Sequence, residues 1–160
     1  MKEMFMTPRF IAKSALIAAV YVALTGVFAM ASFGFIQFRI ADAMIILAFY
    51  SLTAVPGLTV GCFIANILWS PFGIADVFFG TLATFIGAAL CYALRSNRPL
   101  ALAPNVIANG ILVALVLSWA NVNSFPILVF YIAVSQAIVC YAIGLPLSKA
   151  LDKFADKMAD

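Results

Sequence analysis

The stretch F-I-Q-F-R-I-A-D-A-M, residues 35–44, sets Gln37, Arg39 and Asp42 close together inside apolar sequence. A second acid, Asp76, follows in G-I-A-D-V-F-F-G, with Asn66 shortly before it. Carboxylates and amides present acceptors and donors that suit a neutral planar ligand. Charge surrounded by apolar sequence is costly, and it usually faces a cavity or a partner. Two readings follow. In one, Arg39 and Asp42 form an interfacial anchor, with Asp42 and Asp76 in first helical turns where the dipole favours negative charge. In the other, Gln37, Arg39, Asp42, Asn66 and Asp76 line one outward-facing pocket. Phe35, Phe38, Trp69, Phe72 and Trp119 would then stack on the ligand, or else form an aromatic belt at the interface. Asn109, Ser135 and Gln136 lie further along and suit ligand contacts or hydrogen bonds between helices.

Catalysis finds no such support. The chain has no histidine, the usual acid–base group near pH 7 and the commonest metal ligand. Walker, H-E-x-x-H and S-x-x-K signatures are missing, so ATP hydrolysis is not expected within this chain. Cys62, Cys91 and Cys140 stand singly in apolar runs and read as packing residues rather than a disulfide or metal framework. The expectation is a non-enzyme that needs no cofactor of its own.

The elements that must hold these residues are membrane helices. Hydrophobic residues make up 66% of the 160 positions and charged ones 9%, against roughly 25% charged in a soluble domain. Mean hydropathy is +1.16. One integral membrane domain over residues 1–160 accounts for the whole length. Apolar runs at 12–31, 41–55, 58–69, 74–94, 100–119 and 125–147 predict six spans. About 20 helical residues cross a bilayer core of about 30 Å. The two runs divided by Pro56-Gly57 are short, and suit either short spans or a re-entrant hairpin. A bend is expected near Gly144 and Pro146, with an amphipathic tail from Ser148 onward.

Charge sets the orientation. Six spans put Lys2, Arg9, Lys13, Arg95, Arg98, Lys149, Lys153 and Lys157 on one side and leave Arg39 alone on the other. The positive-inside rule makes the crowded side cytoplasmic, with both termini there. The basic excess is explained by this bias and by anionic lipid, with no nucleic-acid partner. In the first run, Ser14, Ala18 and Val22 share one helix face, and Ala15, Ala19 and Ala23 share the next. Such small-residue stripes allow close helix approach, within this bundle or against a separate membrane subunit.

These motifs resemble the QueT family of queuosine-precursor transporters, among the substrate-binding (S) components of energy-coupling factor (ECF) transporters. The resemblance rests on Q-F-R-I-A-D-A at 37–43, P-G-L-T-V-G-C-F-I-A-N at 56–66, D-V-F-F-G-T-L-A-T at 76–84 and the alanine steps of the first helix. It implies an all-α, six-helix transmembrane bundle in the cell membrane. It implies capture of a 7-deazaguanine such as preQ0, preQ1 or queuine. It implies as partners a transmembrane coupling subunit, EcfT, and two cytoplasmic ABC ATPases, with docking through Ala15, Ala19 and Ala23. The expected ligand contacts are Gln37, Arg39, Asp42, Asn66, Asp76, Asn109, Gln136, Trp69 and Trp119. An S component for another vitamin or nucleobase, or a small structural membrane protein without a ligand, are the alternatives.

Overall fold

A computed structural model describes residues 7–34 and 36–155. Phe35 lies outside the described residues, as do Lys2 and Lys157 of the charge pattern. The described chain is all-helical. Helix α1 (Pro8–Val27) is capped by Thr7, whose Oγ1 accepts from the Phe10 N–H. Pro8 opens its first turn, where a missing N–H costs nothing. One further helical turn, Ala29–Ser32, follows. Helix α2 (Ile40–Tyr50) starts as a 3₁₀ helix over Ile40–Ile46 and becomes α-helical over Leu47–Tyr50. Then come α3 (Ala54–Trp69), α4 (Gly73–Ala93) and α5 (Arg98–Trp119). The last helix, α6 (Phe125–Phe154), contains a π-helical segment at Ile138–Gly144.

Helices α1, α4, α5 and α6 are long and apolar enough to cross a membrane; α2 and α3 are shorter apolar helices. Met30 (95% exposed), Ile74 (88%) and Val27 (77%) point outward, as apolar residues do when lipid is the solvent.

One boundary differs from the sequence expectation. The break between α2 and α3 falls at residues 51–53, and Pro56-Gly57 lies inside the first turn of α3. Proline is tolerated there because the first four N–H groups of a helix lack partners anyway. The actual turn is built from hydroxyls: Thr53 donates its backbone N–H to Ser51 Oγ at 3.2 Å. Where a bend was expected, α6 carries the π segment, which runs to Gly144, with Pro146 following in the next turn. A wider helical turn accommodates the N–H that Pro146 lacks.

Small residues bring the helices together. A Cβ on Gly57 would stand 2.8 Å from Ser14 O, and one on Gly61 3.0 Å from Ala18 O. Thus G-L-T-V-G on α3 packs against the Ser14/Ala18 face of α1, as in membrane helix pairs with glycine four residues apart. Gly87 of α4 meets Asn105 of α5 in the same way: a Cβ there would stand 2.9 Å from Asn105 Cα. At one end of the bundle, the single Tyr50 O–H lies within reach of two acceptors, Ser148 O at 2.7 Å and Asp152 Oδ1 at 2.8 Å. Arg98 forms a two-pronged pair with that same Asp152. Ser14 Oγ donates to Thr53 O nearby in sequence, at 2.9 Å. At the other end, the Trp69 ring covers Gly26. Helix α3 therefore runs from the first end to the second.

Candidate functional site

Between α1 and α2 the chain turns back into the protein. Gln37 adopts a left-handed φ of 50° and Arg39 is extended. This lowers Gln37, Arg39 and Asp42 into the interior. Non-helical backbone at membrane depth is tolerated where protein buries it or a cavity adjoins it. Arg39 and Asp42 are each 1% exposed, and Asp76 is fully buried.

The buried polar residues form two connected arms. In the first, Asp42 accepts from Tyr21 Oη of α1 at 2.6 Å and from Gln136 Nε2 of α6 at 2.7 Å. Asn105 Nδ2 reaches Gln136 Oε1 at 3.4 Å, and Asn109 Nδ2 donates to Asn105 Oδ1 at 3.0 Å. Ser135 donates to Ile132 O at 2.9 Å. In the second arm, Arg39 Nη1 lies 3.5 Å from Cys62 Sγ, and its guanidinium sits over the Phe33 ring at 4.9 Å. Asn66 Nδ2 donates to Asp76 O at 3.0 Å and approaches the same sulfur at 3.6 Å. Ser70 Oγ donates to Asp76 Oδ2. Gly80 lets these groups converge, since a Cβ there would stand 2.7 Å from Asn66 Nδ2 and 3.0 Å from Asp76 Oδ1.

Several buried atoms of this cluster have no hydrogen-bond partner. The donors are Gln37 Nε2, Arg39 Nε and Arg39 Nη2; the acceptors are Asn66 Oδ1 and Asp76 Oδ1. Leaving one such group unpaired costs about 1–3 kcal/mol, more if charged.

The structure thus brings together Gln37, Arg39, Asp42, Asn66, Asp76, Asn109 and Gln136. It puts Trp69 (38% exposed) and Trp119 (57% exposed) at the periphery. Trp119 packs edge-on against Phe79 at 5.5 Å. Arg39 and Asp42 make no direct ion pair; the ion pair among the described residues is Arg98–Asp152. Ala15, Ala19 and Ala23 are exposed on α1, while Ala18 is buried. Sequence reasoning missed Tyr21, Cys62 and Asn105. The available signal was their helical register: Tyr21 follows Ala18 on the inward face of α1, and Asn105 precedes Asn109 by one turn.

A family model for the QueT transporter matches residues 11–153. The chain belongs to the QueT transporter family. Membership supports a role in queuosine-precursor transport and makes the chain a transport subunit, not an enzyme. It also implies partnership within an ECF transporter. No curated protein and no solved structure is significantly similar to the chain.

Proposed function

We propose that this QueT family member holds a 7-deazaguanine queuosine precursor in the cluster between α1, α2, α3, α4 and α6, with Asp76 as its reading acid. The observation that carries this is the pattern of unpartnered atoms: acceptors on Asp76 and Asn66, donors on Arg39 and Gln37. A guanine edge carries an N–H and an amino group beside a carbonyl. Asp76 Oδ1 and Asn66 Oδ1 suit the two donors, and Arg39 with Gln37 suits the carbonyl. Bonds to ionised groups of this kind are the strong ones. Tyr21 and Gln136 already occupy both oxygens of Asp42, which favours Asp76 for the edge. Asn109 then supports the site through Asn105 and Gln136. Trp69 and Trp119 act at the periphery, away from the ligand.

In this reading all six helices cross the cell membrane as one domain. The run of α3 from one bundle end to the other supports two short spans over a re-entrant hairpin. Both termini are cytoplasmic, as the charge bias requires. Docking to EcfT and its two ABC ATPases uses Ala15, Ala19 and Ala23, a stripe of small side chains left exposed beside the buried face of α1.

Calorimetry on the purified full chain in detergent tests this, with 7-deazaguanine precursors titrated against riboflavin, thiamine and guanine. The expected result is tight, saturable binding of a 7-deazaguanine. Asp76→Ala should weaken it by about 2–5 kcal/mol, the cost of truncating one partner of a buried charged hydrogen bond. Unchanged affinity in a folded Asp76→Ala protein, or tight binding of a different compound, overturns the reading.

A further inference from the structure

We infer that Cys62 is a positioning residue of this site: its sulfur tethers Arg39 and Asn66 together and leaves the far end of each free for the ligand. The inference rests on the ligand class proposed above and names a residue that class did not call for. Cys62 lies on α3, one turn before Asn66, and is fully buried. The second arm converges on its sulfur. Arg39 Nη1 reaches it at 3.5 Å and Asn66 Nδ2 at 3.6 Å. The thiol itself donates to Gly80 O at 3.6 Å. A thiol is a weak donor and a weak acceptor, so Gly80 O takes its proton and the sulfur meets the two donors. Cys91, equally buried, makes the ordinary contact of a core thiol, to the Ile45 carbonyl at 3.5 Å.

A sulfur in this place has a chemical consequence. The carboxylate of Asp152 grips Arg98 through both Nη atoms, at 2.9 and 2.6 Å. Such a pair occupies the fork of the guanidinium and neutralises its charge. Arg39 is held differently, with one N–H on a neutral, weakly accepting sulfur and its plane over the Phe33 ring. Its Nε and Nη2 keep no partner, and neither does Asn66 Oδ1. Both side chains are 1% exposed, so these free atoms face the interior rather than solvent. Arg39 comes from the segment before α2 and Asn66 from α3. The sulfur joins these two separate elements. It fixes one end of each side chain, and the other ends carry the donors for the ligand carbonyl and an acceptor for its N–H edge.

The test titrates 7-cyano-7-deazaguanine and its 6-thioxo counterpart calorimetrically into the full chain in detergent. The thioxo compound keeps the N–H edge and carries a weaker acceptor where Arg39 reads the carbonyl. The unaltered protein should bind the oxo compound about tenfold tighter, the scale of weakening one hydrogen bond to a charged group. Cys62→Ala and Cys62→Ser shrink the side chain alike and differ in the acceptor. Cys62→Ala should weaken the oxo compound about tenfold and bring the two affinities within about twofold of each other. Cys62→Ser should keep the preference. Cys91→Ala, a packing control, should leave both affinities unchanged. Equal binding of the two compounds by the unaltered protein overturns the inference while leaving the ligand class intact, and needs no variant to fold. A preference that survives Cys62→Ala does the same, as does a Cys62→Ser protein that behaves like Cys62→Ala. Binding of neither compound overturns the ligand class, and this inference with it.

Discussion

Gly61→Ala puts one methyl group between α1 and α3, and the structure decides the sign of its effect. On propensity alone, alanine in a helix interior gains about 0.5–1 kcal/mol over glycine. Against this, the new Cβ would lie 3.0 Å from Ala18 O, 3.1 Å from Ala18 Cα and 2.9 Å from Tyr21 Cβ. Two of those atoms are backbone and none is the far end of a flexible side chain. Helix α1 must therefore move by a few tenths of an ångström. Overpacking of this kind costs about 1–3 kcal/mol, so the net effect is destabilising by up to about 2 kcal/mol. The displaced residue is Tyr21, whose hydroxyl donates to Asp42 at 2.6 Å. A hydrogen bond to a charged group is worth about 1.5–3 kcal/mol, and part of it is lost as the helix shifts. Gly61→Ala should lower thermal stability in detergent and weaken precursor binding together. Gly110→Ala is the comparison, since its new Cβ would first meet the Ala133 side chain at 3.3 Å. That contact is milder, lies between α5 and α6, and should spare binding. Unchanged stability and affinity in Gly61→Ala would refute the claim that the α1–α3 contact is too tight for one methyl.

Ala19→Leu projects from the exposed face of α1. It should leave precursor affinity unchanged while reducing co-purification with the coupling subunit; an intact complex would argue for docking elsewhere. Arg98→Ala removes a partly exposed pair with Asp152. Its effect on thermal stability should be small and shrink further as salt is raised, because exposed ion pairs are weak and screened. A large, salt-independent loss would point to a tighter junction of α2, α5 and α6 than the exposure of that pair indicates.

Long apolar runs made α1, α4, α5 and α6 legible, because hydropathy over about 20 residues is the strongest signal a sequence carries for spanning helices. Gln37, Arg39, Asp42 and Asp76 stood out as polar groups in such a chain, but sequence left open whether they anchor at the interface or face inward; the structure buries them. The start of α3 was hidden because proline and glycine break a helix interior but are welcome in a first turn, and sequence alone does not say which position Pro56 holds. Tyr21 was hidden by its own amphipathic nature, as tyrosine suits a core, a belt or a site equally well. Its role appears once α1 is seen to turn that face toward Asp42. The tryptophans were ambiguous between ligand stacking and an interfacial belt. Lying near span ends fixes their depth, not the side of the helix they occupy, and Trp119 faces outward beside Phe79.

Helix α2 has a consequence for how the protein is made. It is a short 3₁₀-led helix with Arg39 at its mouth and Asp42 in its first turn. At the centre of an isolated membrane helix Arg or Asp costs about 2.5–3.5 kcal/mol each; here both sit at the start of α2, buried within the protein. Its hydrogen-bond partners are spread along the chain, from Tyr21 to Gln136. Gln136 leaves the ribosome long after α2 itself. The Gln136 bond to Asp42 can therefore form only after α6 has been made. A chain truncated before α6 would lack the Gln136 bond that holds the Asp42 carboxylate of α2.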